Sequence, residues 1–173
     1  MTHFAFIAFG SNLWLDENTP PKRVLERAIV RLCSDSRLTL LKCSSFYQTM
    51  PDPPSDQPWY TNGLLKVATD LNPQDLLALL LDTERDFGRK RGEKNAARTL
   101  DFDLIAYDAL CLEEPKLVLP HPRMHLRAFV LQPFYEIEPT WQHPKLKCSL
   151  SALLKRLNNN TNDGSVLIDS PVL

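Results

Sequence analysis

Cysteine is scarce and scattered. Cys33, Cys43, Cys111 and Cys148 lie far apart with no CxxC pair. That argues against a zinc site or a redox motif and for free thiols in a reducing compartment. No apolar run is long enough to span a bilayer. The opening residues, Met-Thr-His-Phe-Ala, have no basic segment leading into a signal core. A soluble, cytoplasmic protein without a membrane partner is therefore expected. Charge of either sign is also missing in bulk: the net value is −1. Nothing steers the whole chain toward nucleic acid, so any anion site must be local. There is no internal repeat and no interdomain linker, and 173 residues suit one domain spanning 1–173. The Gly10-Ser11-Asn12 turn lacks the spacing of a phosphate-cradling loop and reads as structural.

What is present is concentrated in Arg98-Thr-Leu-Asp101-Phe-Asp103-Leu-Ile. On a strand, Asp101 and Asp103 share one face, while Phe102 and Leu104 face a core. Like charges on one sheet face repel, and a sheet has no structural need for them. A divalent cation removes the conflict. Mg²⁺ takes one or two carboxylates and completes its octahedron with phosphates and water. Just upstream, Arg85, Arg89, Lys90, Arg91, Lys94 and Arg98 stand against only Asp86 and Glu93. Such a cluster can meet phosphate oxygens. The pattern points to a metal–phosphate site, with carboxylates on a strand and cations on a loop.

The remaining elements follow from periodicity. Phe4 to Phe9 reads as a buried strand. Asn18-Thr19-Pro20-Pro21 offers a cap and a first-turn proline, and Val24, Leu25, Ala28, Ile29 and Leu32 continue at helical spacing. Arg37 to Tyr47 reads as one strand. Four prolines between Gln48 and Trp59 enforce a loop, and Tyr60 to Thr69 forms a third strand. Asn72-Pro73 opens a second helix whose leucine stripe runs into Glu84. Glu84 is expected to look outward, toward the basic loop. Gly88 closes the helix, and Thr99 to Tyr107 is the fourth strand. Lys116 to Leu119 suggests a short strand, Met124 to Pro133 a short helix, and Ser149 to Leu157 an amphipathic helix. Residues 155–173 read as a polar C-terminal tail. The order strand, helix, strand, strand, helix, strand gives an α+β class with a ferredoxin-like βαββαβ core. In it, helices pack on one face of an antiparallel sheet, followed here by a C-terminal extension.

Six blocks carry a family resemblance: Ala8–Leu13, Ser45–Thr49, Asp56–Asn62, Glu84–Arg89, Ala96–Ile105 and Leu119–Phe129. In that order they resemble hydroxymethyl-dihydropterin pyrophosphokinase. Its members move the terminal diphosphate of ATP to 6-hydroxymethyl-7,8-dihydropterin, releasing AMP, in folate biosynthesis. The resemblance implies that Asp101 and Asp103 hold two Mg²⁺ ions with ATP as co-substrate. It implies that Arg89 and Arg98 engage the phosphates. It puts Glu84, Arg91, Leu104, Lys116, His121 and Arg127 on the ATP side, and Thr49, Tyr60, Asn62 and Phe129 around the pterin. Small-molecule substrates and a monomer are expected. Asn95 stands where some members carry an aromatic.

Two other readings use the same features. A nucleotide-sugar transferase could use Asp101-x-Asp103, but no large doubly wound pattern accompanies it. An RNA-binding ferredoxin-like module could use the basic loop, but the paired aromatic-rich motifs of such sheets are missing and the charge is not basic.

Overall fold

The computed structural model describes residues 1–51, 54–89, 97–158 and 166–169. In chain order it contains β1 (His3–Ser11), α1 (Pro21–Cys33), β2 (Leu38–Cys43), β3 (Phe46–Thr49), β4 (Tyr60–Thr69), α2 (Pro73–Asp86) and β5 (Asp101–Tyr107). Then follow β6 (Leu112–Glu114), β7 (Leu117–Leu119), a 3₁₀ turn (Met124–Leu126), α3 (Ala128–Ile137), β8 (Gln142–His143), β9 (Cys148–Ser149), α4 (Leu150–Asn158) and β10 (Val166–Asp169).

The main sheet runs β10-β3-β4-β1-β5, with β2 also paired to β4, and every pairing is antiparallel. β4 lies between β1 and the β2–β3 pair, and β1 lies between β4 and β5. Both helical crossovers therefore skip one strand, which is the ferredoxin-like arrangement. The alternation in β1 explains the layering. Ala5, Ile7 and Phe9 turn to one face and pack on Val24, Leu25, Ala28 and Ile29 of α1 and Leu76 and Leu80 of α2. Phe6 turns to the other face, against Val130, Leu131 and Phe134 of α3 and Leu150 and Leu153 of α4. Helices were expected on one face; the second face is also covered, but only along part of its length.

Several elements differ from their sequence reading for identifiable reasons. The strand expected over Arg37–Tyr47 is two, because Ser44 breaks it. Its hydroxyl accepts the Leu64 N–H (2.9 Å) while its own N–H donates to the Leu64 carbonyl (2.9 Å). A side chain thus replaces one backbone acceptor in the ladder. The Asn18/Thr19 cap does not form: Pro20 is the N-cap residue of α1 and makes no side-chain bond. Pro20 and Pro21 lack N–H groups, which leaves fewer donors to satisfy. In α2, by contrast, the Asn72 side chain accepts the Asp75 N–H at 2.8 Å. α3 passes through Pro133 to Ile137, because Val130, Leu131, Phe134 and Ile137 are all buried on one side. Lys42 then donates to the Ile137 carbonyl at 2.7 Å, a cation at the helix's negative end. The tail expected over 155–173 contains the end of α4 and then β10, whose Val166 and Leu167 pair with Gln48 and Tyr47 of β3.

Candidate functional site

The site lies on the second face of the sheet, at the end that α3 and α4 leave open. Register places it there. Asp101 stands opposite Gly10 and Asp103 opposite Ala8, and Gly10 is opposite Asn62 on its other side. Small residues on the central strand leave room above the two carboxylates. Gly10 helps keep it open: a Cβ there would stand 2.7 Å from the Asn62 Oδ1 and push that amide aside. A pocket opens over this floor. Ala8, Gly10, Thr49, Tyr60, Asn62, Arg98, Asp101, Asp103, Arg127 and Phe129 line it, with Met50, Pro51, Ser55, Gln57 and Val130 among its walls.

The pocket has two ends of different chemistry. At one, Arg98 and Arg89 both pair with Asp101, at 2.8 and 2.7 Å, and Arg127 lies 3.5 Å from Asp103. Burial, and then the neighbouring Asp101 charge, raise the Asp103 carboxyl above its ordinary range. Asp103 is thus the less ionised member of the pair, and Asp101 is the one held by two arginines. At the other end, the Asn62 amide donates to the Thr49 hydroxyl at 2.6 Å, beside Tyr60. Phe129, in the first turn of α3, lies 5.4 Å beneath the Arg127 guanidinium. The start of α3 therefore supplies both a cation and an aromatic face.

A family model described as 7,8-dihydro-6-hydroxymethylpterin-pyrophosphokinase (HPPK) matches residues 6–139. The chain belongs to this family. It is 37% identical over 156 residues to a 2-amino-4-hydroxy-6-hydroxymethyldihydropteridine pyrophosphokinase of Synechocystis sp., covering 90% of this chain and 77% of that one. It is 40% identical over 133 residues to the Haemophilus influenzae protein of the same name, covering 77% and 80%. Among solved structures, a wild-type Plasmodium falciparum HPPK-DHPS with pterin and p-hydroxybenzoate superposes with a TM-score of 0.67 at 13% identity. That match covers 99% of this chain but only 46% of the other, and supports the fold alone.

Within this HPPK framework, the residues expected at the site do not all reach the pocket. Arg98, Asp101, Asp103, Arg127, Thr49, Tyr60, Asn62 and Phe129 converge on the pocket. Arg89 reaches it through Asp101. His121 is half-buried, and its backbone N–H donates to the Ile105 carbonyl at 2.8 Å. Its Nδ1 accepts the Arg123 N–H at 3.2 Å, and burial lowers its pKa, so the neutral ring carries its proton on Nε2. Leu104 lies in the core on the opposite face, 3% exposed. Lys116 is exposed in the turn between β6 and β7. Neither lines the pocket. Glu84 corrects the expectation of an outward-looking carboxylate: it is 1% exposed. It accepts the Phe102 N–H at 2.6 Å and pairs with Arg89. Burial, partly offset by that N–H and by Arg89, raises its pKa to about 7. Arg91 and Asn95 lie outside the described residues. Sequence reasoning missed Gln57 and the floor residues Ala8 and Gly10. The signal for Ala8 and Gly10 was the alternation from Phe6, which puts both on the face of Asp101 and Asp103.

Proposed function

We propose that this pocket carries out Mg²⁺-dependent transfer of the ATP diphosphate to 6-hydroxymethyl-7,8-dihydropterin, giving AMP and the pterin diphosphate. One chain and one domain suffice. The observation that carries the reading is the meeting, in a single pocket, of a same-face acid pair, convergent arginines and an amide–hydroxyl–aromatic slot.

The donor set suits Mg²⁺. Among the described residues no three His, Cys, Asp or Glu side chains cluster as a metal cage, and two carboxylates leave positions that triphosphate oxygens and water fill. Asp101 and Asp103 would hold two ions. Mg²⁺ so bound neutralises phosphate oxygens and makes a nearby hydroxyl easier to deprotonate. In transfer, the hydroxymethyl oxygen gives up its proton to solvent and forms a bond to the β-phosphorus, while the bond from that phosphorus to the α-phosphate's bridging oxygen breaks and leaves that oxygen and its charge on AMP. AMP departs. Arg89 and Arg98 supply planar donors to the migrating group, whose charge peaks in the transition state. Arg127, which lines the pocket, and His121 are assigned to the same phosphates. Thr49, Tyr60, Asn62 and Phe129 hold the pterin, with hydrogen bonds at its edge and a ring beside its plane. Asn62 has both donor and acceptor.

The test is an assay of AMP release from ATP with and without the hydroxymethyl-dihydropterin. Pterin-dependent AMP is the expected result. ADP as product, or AMP release indifferent to the pterin, would defeat the reading.

A further inference from the structure

We infer that Asn12 is a positioning residue that holds Arg98 and the Gln57–Tyr60 wall of the pocket in one frame. The inference rests on the proposed phosphoryl-transfer reading and extends it to a residue that does not itself line the pocket.

Asn12 lies just beyond β1 and is 1% exposed. Every polar atom of its amide is used across chain segments. Its Oδ1 accepts the Arg98 backbone N–H at 2.9 Å, and its own N–H donates to the Arg98 carbonyl at 3.1 Å. Its Nδ2 donates to the Pro58 carbonyl at 3.2 Å and to the Gln57 Oε1 at 3.3 Å. The orientation is fixed by chemistry: Oδ1 faces a group that only donates and Nδ2 faces a carbonyl that only accepts. Gln57 Oε1 also receives the Tyr60 hydroxyl at 3.4 Å. One buried amide thus ties the residue that pairs with Asp101 to the loop that walls the slot, across segments 45 to 86 residues away in sequence.

The consequence is coupling. Arg98 acts on the phosphates only if its backbone sits at the right height over Asp101. The loop is held by the other polar atom of the same carboxamide. A misplacement of the order of 1 Å in such a group costs roughly a hundredfold in rate.

Two variants separate the two halves of the tie. Asn12→Ala removes both. Asn12→Asp keeps an acceptor for the Arg98 N–H and loses the two donors to the loop. The expected result has three parts. Asn12→Ala lowers kcat by roughly tenfold to a hundredfold. Asn12→Asp recovers most of kcat but keeps a raised KM for the pterin. In the Arg98→Ala background, Asn12→Ala costs little further kcat, because the residue acts through Arg98. Additive losses with Arg98→Ala, or unchanged kinetics in a folded Asn12→Ala, would overturn the inference. So would loss of the thermal unfolding transition in both variants, which would make Asn12 purely structural. A wild-type chain with no pterin-dependent AMP release would instead sink the underlying reading.

Discussion

Asp101 and Asp103 share a face but not an environment, so their removal separates activity from stability. Asp101→Asn and Asp103→Asn should each lower turnover by a hundredfold or more, roughly the scale for losing an electrostatic group at a reacting centre. Normal turnover of either variant at saturating Mg²⁺ would refute the metal assignment. Stability should part them. Asp101 satisfies Arg89 and Arg98, so Asp101→Asn should destabilise the ligand-free chain by about 1 kcal/mol. Asp103 is an acid that burial already disfavours ionising, so Asp103→Asn should melt at or above the wild-type temperature. Glu84 makes a pH statement. Its carboxyl holds a proton up to about 7 in the folded chain against an ordinary 4.5. The folded state therefore binds more protons between those values. The stability this confers is complete below 4.5 and lost as pH rises through 7. Glu84→Gln cannot ionise and lacks this slope. Urea midpoints measured at about pH 5 and about pH 8 should show wild type losing ground to the variant as pH rises; parallel behaviour would contradict the buried carboxylate.

Elements set by their own periodicity were readable in advance, and those set by a distant partner were not. β1, α1, β4, α2 and β5 repeat their apolar residues at strand or helix spacing, and the apolar layers on the two faces of the sheet are built from them together with α3 and α4. The β2–β3 break depends on a serine hydroxyl meeting Leu64, twenty positions on, and β10 depends on the free edge of β3. Neither partner shows in a local window. The same holds within the site. Alternation alone exposes the acid pair, whereas Asn12 looks like any turn asparagine until three segments converge on it. Strand register also makes a prediction of its own. Gly63 on β4 faces Phe9 on β1, and a Cβ at Gly63 would stand 2.2 Å from that ring. Phe9 cannot easily give way, since it is 2% exposed and packs edge-on to Phe46 at 5.2 Å. Gly63→Ala should therefore cost about 1–3 kcal/mol, as overpacking does, read as a lowered denaturant midpoint. An unchanged midpoint would contradict the β1–β4 pairing.

At the scale of the whole molecule, the pocket joins β1, β4, β5 and the start of α3, so a ligand there must report on global unfolding. As metal ligands the protein would supply two carboxylates, Asp101 and Asp103, and the nucleotide brings further negative charge. Mg²⁺ alone would find an incomplete shell, and nucleotide alone would meet two carboxylates whose charge Arg89, Arg98 and Arg127 offset only in part. Each should raise the melting temperature slightly. Together, each completes what the other lacks. The shift with Mg²⁺ and a non-hydrolysable ATP analogue should therefore exceed the sum of the separate shifts. A ligand pair present at a hundred times its dissociation constant adds about 2.7 kcal/mol by mass action. Asp103→Asn should abolish the excess while leaving a folded, cooperatively melting chain. The decisive comparison is nucleotide without metal. A full shift there would mean that the arginines alone bind the phosphates, and that the paired carboxylates have another purpose.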